Sequence, residues 1–363
     1  MKLTALEIEK FRNIEKMRIE PCENVNVIFG ENAQGKTNLI EAIWLFTGCK
    51  SFRGVKDNEL ITFGEKKSKL KLDYISDERD QYMEIEIEDR RKISQNGIDY
   101  PIPSKAMGQI NCVVFSPTHL NLIKQGPAER RKFVDIAISQ LRPVYTTYIL
   151  EYNRALKQRN ALLKGASSNP TNYAMLDIWE ERLSEYGSLI AKYRLDYLQK
   201  IRNNVVNIYS GLSSEREKME ISYVQNGTGT GLLEKDEFMY ALRHARIKDI
   251  AFTNTSVGIH RDDIEITIGD RSARKFASQG QQRSAALALK LAEAMMIEGD
   301  MGEMPLVLLD DVMSELDCLR QDYILNHIRD WQVFITCCDP NTVNNLKFGR
   351  CFEINEGKVI SVR

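Results

Sequence analysis

Residues 30–37 read Gly-Glu-Asn-Ala-Gln-Gly-Lys-Thr, which is the pattern G-x-x-x-x-G-K-T. In such a loop the glycines let backbone N–H groups turn toward phosphate oxygens, the lysine reaches the β- and γ-phosphates, and the threonine hydroxyl ligates Mg²⁺. An apolar run, Val25–Phe29, precedes the loop, and a helical spacing follows it, as this chemistry requires. The alternative is a plain glycine-rich turn. We predict an ATP-binding loop formed by Gly30, Glu31, Asn32, Ala33, Gln34, Gly35, Lys36 and Thr37.

A second pattern is an apolar strand that ends in two carboxylates, Leu306-Val307-Leu308-Leu309-Asp310-Asp311. Because Mg²⁺ takes few protein oxygens and keeps several waters, Asp310 and Thr37 are the predicted metal ligands. Asp311 is the predicted general base for the attacking water, and Lys36 is the second predicted catalytic residue. Taken alone, the run is also compatible with a buried strand that ends in a polar turn.

A third pattern, Ser278-Gln279-Gly280-Gln281-Gln282, opens a predicted helix over about 281–298. A serine hydroxyl, a glycine N–H and a helix N-terminus all favour an anion. A segment of this kind is therefore suited to an anion. An ordinary helix N-cap is the alternative interpretation of the same residues.

The remaining sequence divides into three regions with different secondary-structure patterns. Strand patterns dominate the beginning, including Leu3–Glu9 paired with Met17–Ile19 and a hairpin turn at Asn96-Gly97. A helical period marks the middle, with one long amphipathic helix through Leu183 to Ile201 and a loop at 164–172. Strands and helices alternate at the end. We predict one α/β nucleotide-binding domain, residues 1–126 and 251–363, split by a helical arm insertion at 127–250.

Composition narrows the class of protein. The chain has 363 residues, 43% of them hydrophobic, and a formal net charge of -1, so any nucleic-acid contact needs a local basic patch. Seven cysteines without a C-x-x-C pair argue against disulfide and zinc frameworks. No apolar run approaches the ~20 residues that span a bilayer, and the first residues do not resemble a signal peptide. We expect a cytoplasmic protein with no membrane partner.

The three patterns together resemble the ABC-type ATPases. Ser278–Gln282 resembles their signature motif, Leu306–Asp311 their Walker B strand, and Ser314–Asp317 their D-loop. The resemblance implies an ABC ATPase head with a mixed sheet and an antiparallel β-subdomain. It also implies that Ser278, Gly280 and Gln281, in the signature of one subunit, contact the ATP held by the phosphate loop of another, so that ATP drives formation of a homodimer.

Within that group the chain resembles the RecF family of DNA-repair ATPases. The residues that carry this resemblance are Phe11-Arg12-Asn13, Phe115-Ser116-Pro117, Arg130-Arg131-Lys132-Phe133, His260-Arg261-Asp262-Asp263 and Leu309-Asp310-Asp311-Val312. In SMC-like heads the element at Arg12 and Asn13 contacts the nucleotide. Family members carry Asp where most ABC ATPases carry a catalytic Glu, and Asp311 fits.

Two positions depart from the expected pattern. Thr118-His119 replaces acidic residues after the Ser-Pro pair. The strand Val333–Thr336 runs into Cys337-Cys338-Asp339, where many ABC ATPases carry a switch histidine. We expect slow hydrolysis or another γ-phosphate sensor, with Asp339 and Thr336 as candidates.

The resemblance implies an ATP-dependent DNA-binding protein of replication and recombinational repair. Such a protein dimerises on DNA at single-strand gaps or single-strand/duplex junctions and assists RecA loading with RecO and RecR, as a weak DNA-stimulated ATPase. The candidate DNA contacts, which are also compatible with a solvated helix face, are Arg130, Arg131, Lys132, Arg142, Arg154, Lys157 and Arg159.

Two other functions remain open from the sequence. One is an ABC-type ATPase coupled to a transport or metabolic partner, which would not respond to DNA. The other is an SMC-like nuclease, which needs a further carboxylate-rich metal site, and the stretch after residue 320 is short for such a domain.

Overall fold

The computed structural model describes residues 1–213, 217–225, 234–328, 330–338 and 349–363, apart from the side chain of Glu315. Packing divides the chain into two compact units. The first unit comprises Met1–Leu120, Asn207–Arg216 and Arg283–Arg363, and the second comprises Asn121–Val206 and Glu217–Gln282.

The beginning of the chain is rich in strands, as predicted. The strands are β1 (Lys2–Phe11), β2 (Ile14–Ile19), β3 (Val25–Phe29), β4 (Ser68–Ser76), β5 (Arg79–Ile87), β6 (Arg91–Gln95), β7 (Ile98–Asp99) and β8 (Cys112–Phe115). One helix, α1 (Lys36–Leu45), follows the phosphate loop.

The middle is helical and the end alternates. The middle elements are α2 (Asn121–Lys124), α3 (Pro127–Leu141), α4 (Pro143–Leu163), α5 (Pro170–Leu212), β9 (Met219–Val224) and α6 (Lys235–Phe252). The final elements are β10 (Asp263–Ile268), β11 (Arg271–Ser272), α7 (Ala273–Phe276), α8 (Gln279–Met301), β12 (Leu306–Asp310), α9 (Cys318–His327), β13 (Val333–Cys337), β14 (Gly349–Asn355) and β15 (Lys358–Val362).

The central sheet of the first unit has the order β15-β14-β3-β13-β12-β8. All neighbours from β14 to β8 are parallel, and only β15 is antiparallel. Every residue of β3, β12 and β13 is buried, which explains their continuous apolar runs. Because carboxyl ends of parallel strands meet at one edge, the loops after β3, β12 and β13 come together there.

The second sheet of the first unit is antiparallel, with the order β2-β1-β4-β5-β6-β7. Its inner face buries Leu6, Ile8, Leu70, Leu72 and Ile85. Its outer face carries rows of alternating charge, in which Glu7 pairs with Arg18 and Lys71 and Glu9 pairs with Lys16 and Lys69. The predicted pairing of the first two strands and the predicted turn at Asn96-Gly97 are both confirmed.

The second unit contains the helices α2–α4, α5 as far as Val206, α6 and α7, and a three-stranded sheet, β11-β10-β9. The predicted long helix is confirmed, but it begins at Pro170, inside the loop predicted for 164–172. A proline suits the first helical position because its missing N–H has no intrahelical partner there. No helix in the described ranges combines the length and the hydropathy needed to cross a membrane.

The two compact units agree with the predicted domain boundaries at one end of the helical part and differ at the other. The predicted boundary at 126/127 lies close to the observed change at 120/121, whereas packing groups residues 251–282 with the helical part. The division into 1–126, 127–250 and 251–363 stays a prediction. The two sheets of the first unit, one mostly parallel and one antiparallel, agree with the predicted α/β class with a mixed sheet and an antiparallel β-subdomain.

Candidate nucleotide-binding site

The phosphate loop lies between β3 and α1. Gly35 caps α1 with a φ of 110°, a conformation that side chains rarely adopt, and a Cβ there would lie 2.9 Å from Asn13 Oδ1. Ala33 is also left-handed, with a φ of 65°. These conformations let the loop turn sharply into the N-terminus of α1, whose free N–H groups and positive dipole end favour an anion.

Lys36 directs its charge back onto the loop. Its ammonium donates hydrogen bonds to the carbonyl oxygens of Gly30 and Glu31, the second at 2.9 Å. The residue is only 8% exposed. The ammonium is therefore held at the phosphate loop, as the sequence pattern requires.

Thr37 and Asp310 meet at the carboxyl edge of the central sheet. The Thr37 hydroxyl donates to Asp310 Oδ1 at 2.8 Å, and the Thr336 hydroxyl donates to the same oxygen at 2.9 Å. Asp310 and Thr336 are register partners on β12 and β13. Burial raises the pKa of Asp310, whereas the two hydroxyl hydrogen bonds act in the opposite direction.

This pair fits Mg²⁺ by its donor chemistry. One buried carboxylate and one hydroxyl supply hard oxygen ligands, and Mg²⁺ uses few protein ligands beside phosphate oxygens and water. The described ranges hold no cluster of three or more His, Cys, Asp or Glu side chains that suits a metal ion. Thr37 and Asp310 are thus the residues that would hold Mg²⁺ together with a nucleotide.

Asp311 follows directly and has a different environment. Its backbone is left-handed, with a φ of 53°, which aspartate tolerates better than most residues. Its N–H donates to the Thr336 hydroxyl at 2.9 Å, and Ser314 Oγ donates to its carboxylate at 3.0 Å. Asp311 is only partly buried, so its carboxylate is accessible to water.

The signature residues lie in the second unit and cap α8. Ser278 N–H donates to Gln281 Oε1 at 2.6 Å, and Gln281 N–H donates to Ser278 Oγ at 3.3 Å, which is a capping box. Gln281 Nε2 also donates to Glu217 at 2.6 Å. The N-cap interpretation therefore holds. Ser278 is nevertheless exposed, and Gly280 lies in the first turn of the helix.

Comparison with known proteins identifies the family. The DNA replication and repair protein RecF of Lachnospira eligens is 38% identical over 367 residues, covering 99% of this chain and 99% of that protein. The family described as the RecF/RecN/SMC N terminal domain matches residues 2–358. The chain belongs to the RecF family.

Solved structures agree with this assignment. A structure of the recombination mediator protein RecF with ATP, from the RecFOR pathway, superimposes with a TM-score of 0.91 at 36% identity and covers 100% of this chain and 97% of that one. An Smc head domain from Pyrococcus furiosus gives a TM-score of 0.59 at 16% identity, which shows the shared head fold. The predicted family and fold are thus confirmed.

In this RecF-family chain, Arg12 and Asn13 follow β1 and lie beside α1. Asn13 Nδ2 donates to the Ala33 carbonyl of the phosphate loop at 3.2 Å, and Asn38 Nδ2 donates to Asn13 Oδ1 at 2.7 Å. Arg12 donates two hydrogen bonds to Glu41. Asn13 therefore takes part in the hydrogen bonds of the phosphate loop. Its neighbour Arg12 is held beside the loop by its hydrogen bonds to Glu41.

The C-terminal hairpin supports the phosphate loop, which the sequence did not predict. In the β14–β15 turn, Gly357 N–H donates to the Gln34 carbonyl at 3.0 Å and Glu356 N–H donates to Gln34 Oε1 at 2.6 Å. Gly357 has a φ of 72°, and a Cβ there would lie 2.4 Å from the Asn13 carbonyl oxygen. The turn therefore packs against Gln34 of the loop and against Asn13, which itself contacts the loop.

The D-loop has a clear structural role at its end. Asp317 accepts a hydrogen bond from Arg320 N–H at 3.0 Å and so caps α9. Ser314, at its start, is the residue that holds Asp311.

Of the two candidates for the γ-phosphate sensor, Thr336 lies within the described residues. Thr336 contacts both Walker B acids, as given above. Cys338 Sγ lies 3.7 Å from Lys36 Nζ and 3.1 Å from Asn32 Oδ1, so the position after β13 adjoins the loop. Asp339, the other candidate, lies outside the described residues.

The predicted basic stripe needs a correction. Arg159 is fully buried, where its guanidinium pairs with Glu180 at 2.9 Å and Asp249 at 2.7 Å, and Arg130 is 5% exposed and pairs with Asp263 at 2.7 Å. Burial of both cations required carboxylates from distant parts of the sequence. Neither residue is available to DNA phosphates. The half-buried Arg131 donates to the Asp262 carbonyl, and the exposed members are Lys132, Arg142, Arg154 and Lys157.

Proposed function

We propose that the chain binds ATP with Mg²⁺ at residues 30–37 and Asp310. The observation that carries this proposal is the 2.8 Å contact of the Thr37 hydroxyl with Asp310, directly beside the phosphate loop, in a RecF-family chain. Asn13 lies against the loop and Arg12 beside it, which supports their role at the nucleotide.

In this scheme Lys36 and the N–H groups at the start of α1 neutralise the β- and γ-phosphates. Bound Mg²⁺ would add charge stabilisation at the same oxygens. Asp311 orients the attacking water and takes its proton. Because Asp311 has no imidazole partner among the described residues after β13, we expect slow ATP hydrolysis. We also expect DNA to stimulate this hydrolysis, as the RecF-family resemblance implies.

ATP acts as a ligand that favours a closed homodimer. Ser278, Gly280 and Gln281 of a second copy lie over the triphosphate and contribute a hydroxyl, an N–H and the N-terminus of the 23-residue helix α8. The exposure of Ser278 supports this role, since a residue that contacts another copy must be accessible. ATP shifts the equilibrium because it contacts both copies only in the dimer.

The dimer binds DNA at single-strand gaps or junctions during replication and recombinational repair, and assists RecA loading together with RecO and RecR in the cytoplasm. The names of the similar proteins, a DNA replication and repair protein and a recombination mediator of the RecFOR pathway, support this function over a transport or metabolic one.

Nucleotide binding is tested directly by equilibrium titration with ATP in Mg²⁺. The intact chain binds, Lys36→Ala loses binding at least tenfold, and the control Lys66→Ala, an exposed lysine of the same unit, binds normally. Equal affinity of all three proteins would refute the assignment of the loop.

DNA contact is tested by salt titration. Arg154 and Lys157 are exposed on α4, so replacing either by Gln should reduce the slope of log affinity against log salt by about one. Arg182→Gln, an exposed arginine of the same unit outside the predicted set, is the control. An unchanged slope in both test variants removes these residues from the DNA interface.

A further inference from the structure

Glu41 is a buried carboxylate beside the phosphate loop. It lies on α1, one helical turn after Thr37, and is 0% exposed. An ionised carboxylate in such a place is costly unless cations and hydrogen-bond donors surround it. Its partners therefore indicate what the site is built to hold.

Two guanidinium groups converge on this carboxylate. Arg12 binds it in bidentate fashion, with Nε to Oε2 and Nη2 to Oε1, both at 3.0 Å. Arg53 Nη1 lies 3.5 Å from the same Oε2. Two cations this close repel each other, and the shared carboxylate compensates for that repulsion.

The segment that carries Arg53 is also fixed by Glu41. Ser51, which is 2% exposed, donates its hydroxyl to Glu41 Oε1 and accepts the N–H of Arg53 at 3.1 Å. The chain after α1 is thereby folded back against the helix. The Arg53 side chain keeps 40% of its surface exposed, so its remaining donors are accessible.

A chain of hydrogen bonds connects this cluster to the phosphate loop. Arg53 Nη1 donates to Asn38 Oδ1 at 2.9 Å. Asn38 donates in turn to Asn13, and Asn13 donates to the Ala33 carbonyl, as described above. These hydrogen bonds hold both arginines in fixed geometry relative to Ala33, a left-handed residue of the loop.

We propose that Glu41 is a positioning residue that holds Arg12 and Arg53 together beside the phosphate loop, so that their two positive charges favour a nucleoside triphosphate over a diphosphate. This inference rests on the proposed ATP site. The physical reason is that charge-assisted contacts from a preorganised guanidinium are strong, and the triphosphate carries more negative charge. Glu41 itself does not contact nucleotide, since it would repel phosphate.

The test compares affinities for ATP and for ADP in Glu41→Gln, which is isosteric but uncharged. We expect about a tenfold loss of affinity for ATP and a smaller loss for ADP. The matched control is Glu293→Gln, because Glu293 is 1% exposed, lies in the same unit and pairs with Lys290 instead. Its ATP/ADP preference should equal that of the intact chain.

Two further variants keep the test decisive if Glu41→Gln does not fold. Arg12→Gln and Arg53→Gln should each reduce the ATP/ADP preference. Where Glu41→Gln does fold, adding it to the double variant Arg12→Gln/Arg53→Gln should cause no further loss, since Glu41 acts through both arginines. Additive losses, or ATP and ADP affected equally, would overturn the proposal.

The outcomes also separate this inference from the proposed function. If neither the intact chain nor Lys36→Ala binds ATP in the titration, the assignment of the ATP site itself is wrong. If the intact chain binds ATP and Lys36→Ala does not, but Glu41→Gln keeps the full ATP/ADP preference, only the role of Glu41 is wrong.

Discussion

The hydroxyl of Thr37 donates a 2.8 Å hydrogen bond to Asp310 Oδ1, although the two residues are 273 positions apart in the chain. The contact arises because α1 begins after β3, and Asp310 ends β12, two strands away in the same parallel sheet. A hydroxyl and a buried carboxylate thereby share the point where Mg²⁺ and the phosphate loop would meet.

The first prediction concerns that hydroxyl. Thr37→Val removes one Mg²⁺ ligand without changing the side-chain volume greatly and leaves Asp310 in place, so ATP binding should depend less on Mg²⁺ than in the intact chain. Thr37→Ser retains the oxygen and should retain the dependence. The measurement is ATP titration with Mg²⁺ and with excess chelator. A Val variant whose gain in ATP affinity from Mg²⁺ equals that of the intact chain would exclude Thr37 as a ligand.

The second prediction concerns Asp311. Asp311→Asn keeps the size of the side chain and its hydrogen bond from Ser314 but cannot accept a proton, so hydrolysis should fall at least a hundredfold while ATP binding persists. The dimer should then accumulate with ATP. Phosphate release and sedimentation of the same sample measure both effects. If the variant stays monomeric with ATP, Asp311 contributes more than base catalysis.

The third prediction concerns the C-terminal turn. Gly357→Ala should weaken ATP binding about tenfold, because its Cβ would meet the Asn13 carbonyl and displace the turn that holds Gln34. Gly302→Ala is the control, since its φ of 70° imposes the same backbone strain with no atom within 4 Å. Backbone strain should cost each variant about 1–2 kcal/mol of stability, and the collision at Gly357 should add to that cost, but only Gly357→Ala should lose ATP affinity.

The fourth prediction is a pH dependence of the second unit. Burial lowers the pKa of His260 to about 4, and the ring is neutral, with Nε2 donating to the Thr255 carbonyl and Nδ1 accepting from Tyr152. The unfolded chain protonates this histidine near pH 6.5 and the folded chain does not. The free energy of unfolding therefore falls as pH decreases from about 6.5 toward 4, by up to roughly 3 kcal/mol.

His260→Gln removes the titrating group, so the difference in stability between pH 7 and pH 5 should shrink relative to the intact chain. Denaturant unfolding at both pH values measures this difference. The decrease in the free energy of unfolding of His260→Gln at pH 7 gives the contribution of the hydrogen bonds alone. An unchanged difference would show that other groups govern the acid sensitivity.

Much of this site could be predicted from the sequence because its signals are local. The phosphate loop, the strand ending in two acids and the capped helix each occupy a few consecutive residues, and the parallel sheet brings the first two together. The order of strands could not be read locally. Thr37 and Asp310 were paired only through their shared predicted role at Mg²⁺, and the parallel sheet, whose carboxyl ends share one edge, brings them together.

What the sequence did not reveal depends on contacts between distant residues. Arg130 and Arg159 resemble surface cations of a helix, and only Asp263, Glu180 and Asp249, far along the chain, show that they are internal. Glu41 likewise has the pattern of a polar helix position. Its buried role becomes evident only when Arg12 and Arg53 lie against it.

If ATP bound at residues 30–37 controls association of two copies through Ser278–Gln281, sedimentation velocity with and without ATP and Mg²⁺ will show it. The intact chain should form a dimer only with ATP, and Lys36→Ala should stay monomeric in both conditions. Full dimerisation of Lys36→Ala with ATP, or an intact chain whose oligomeric state does not respond to ATP, would rule this control out.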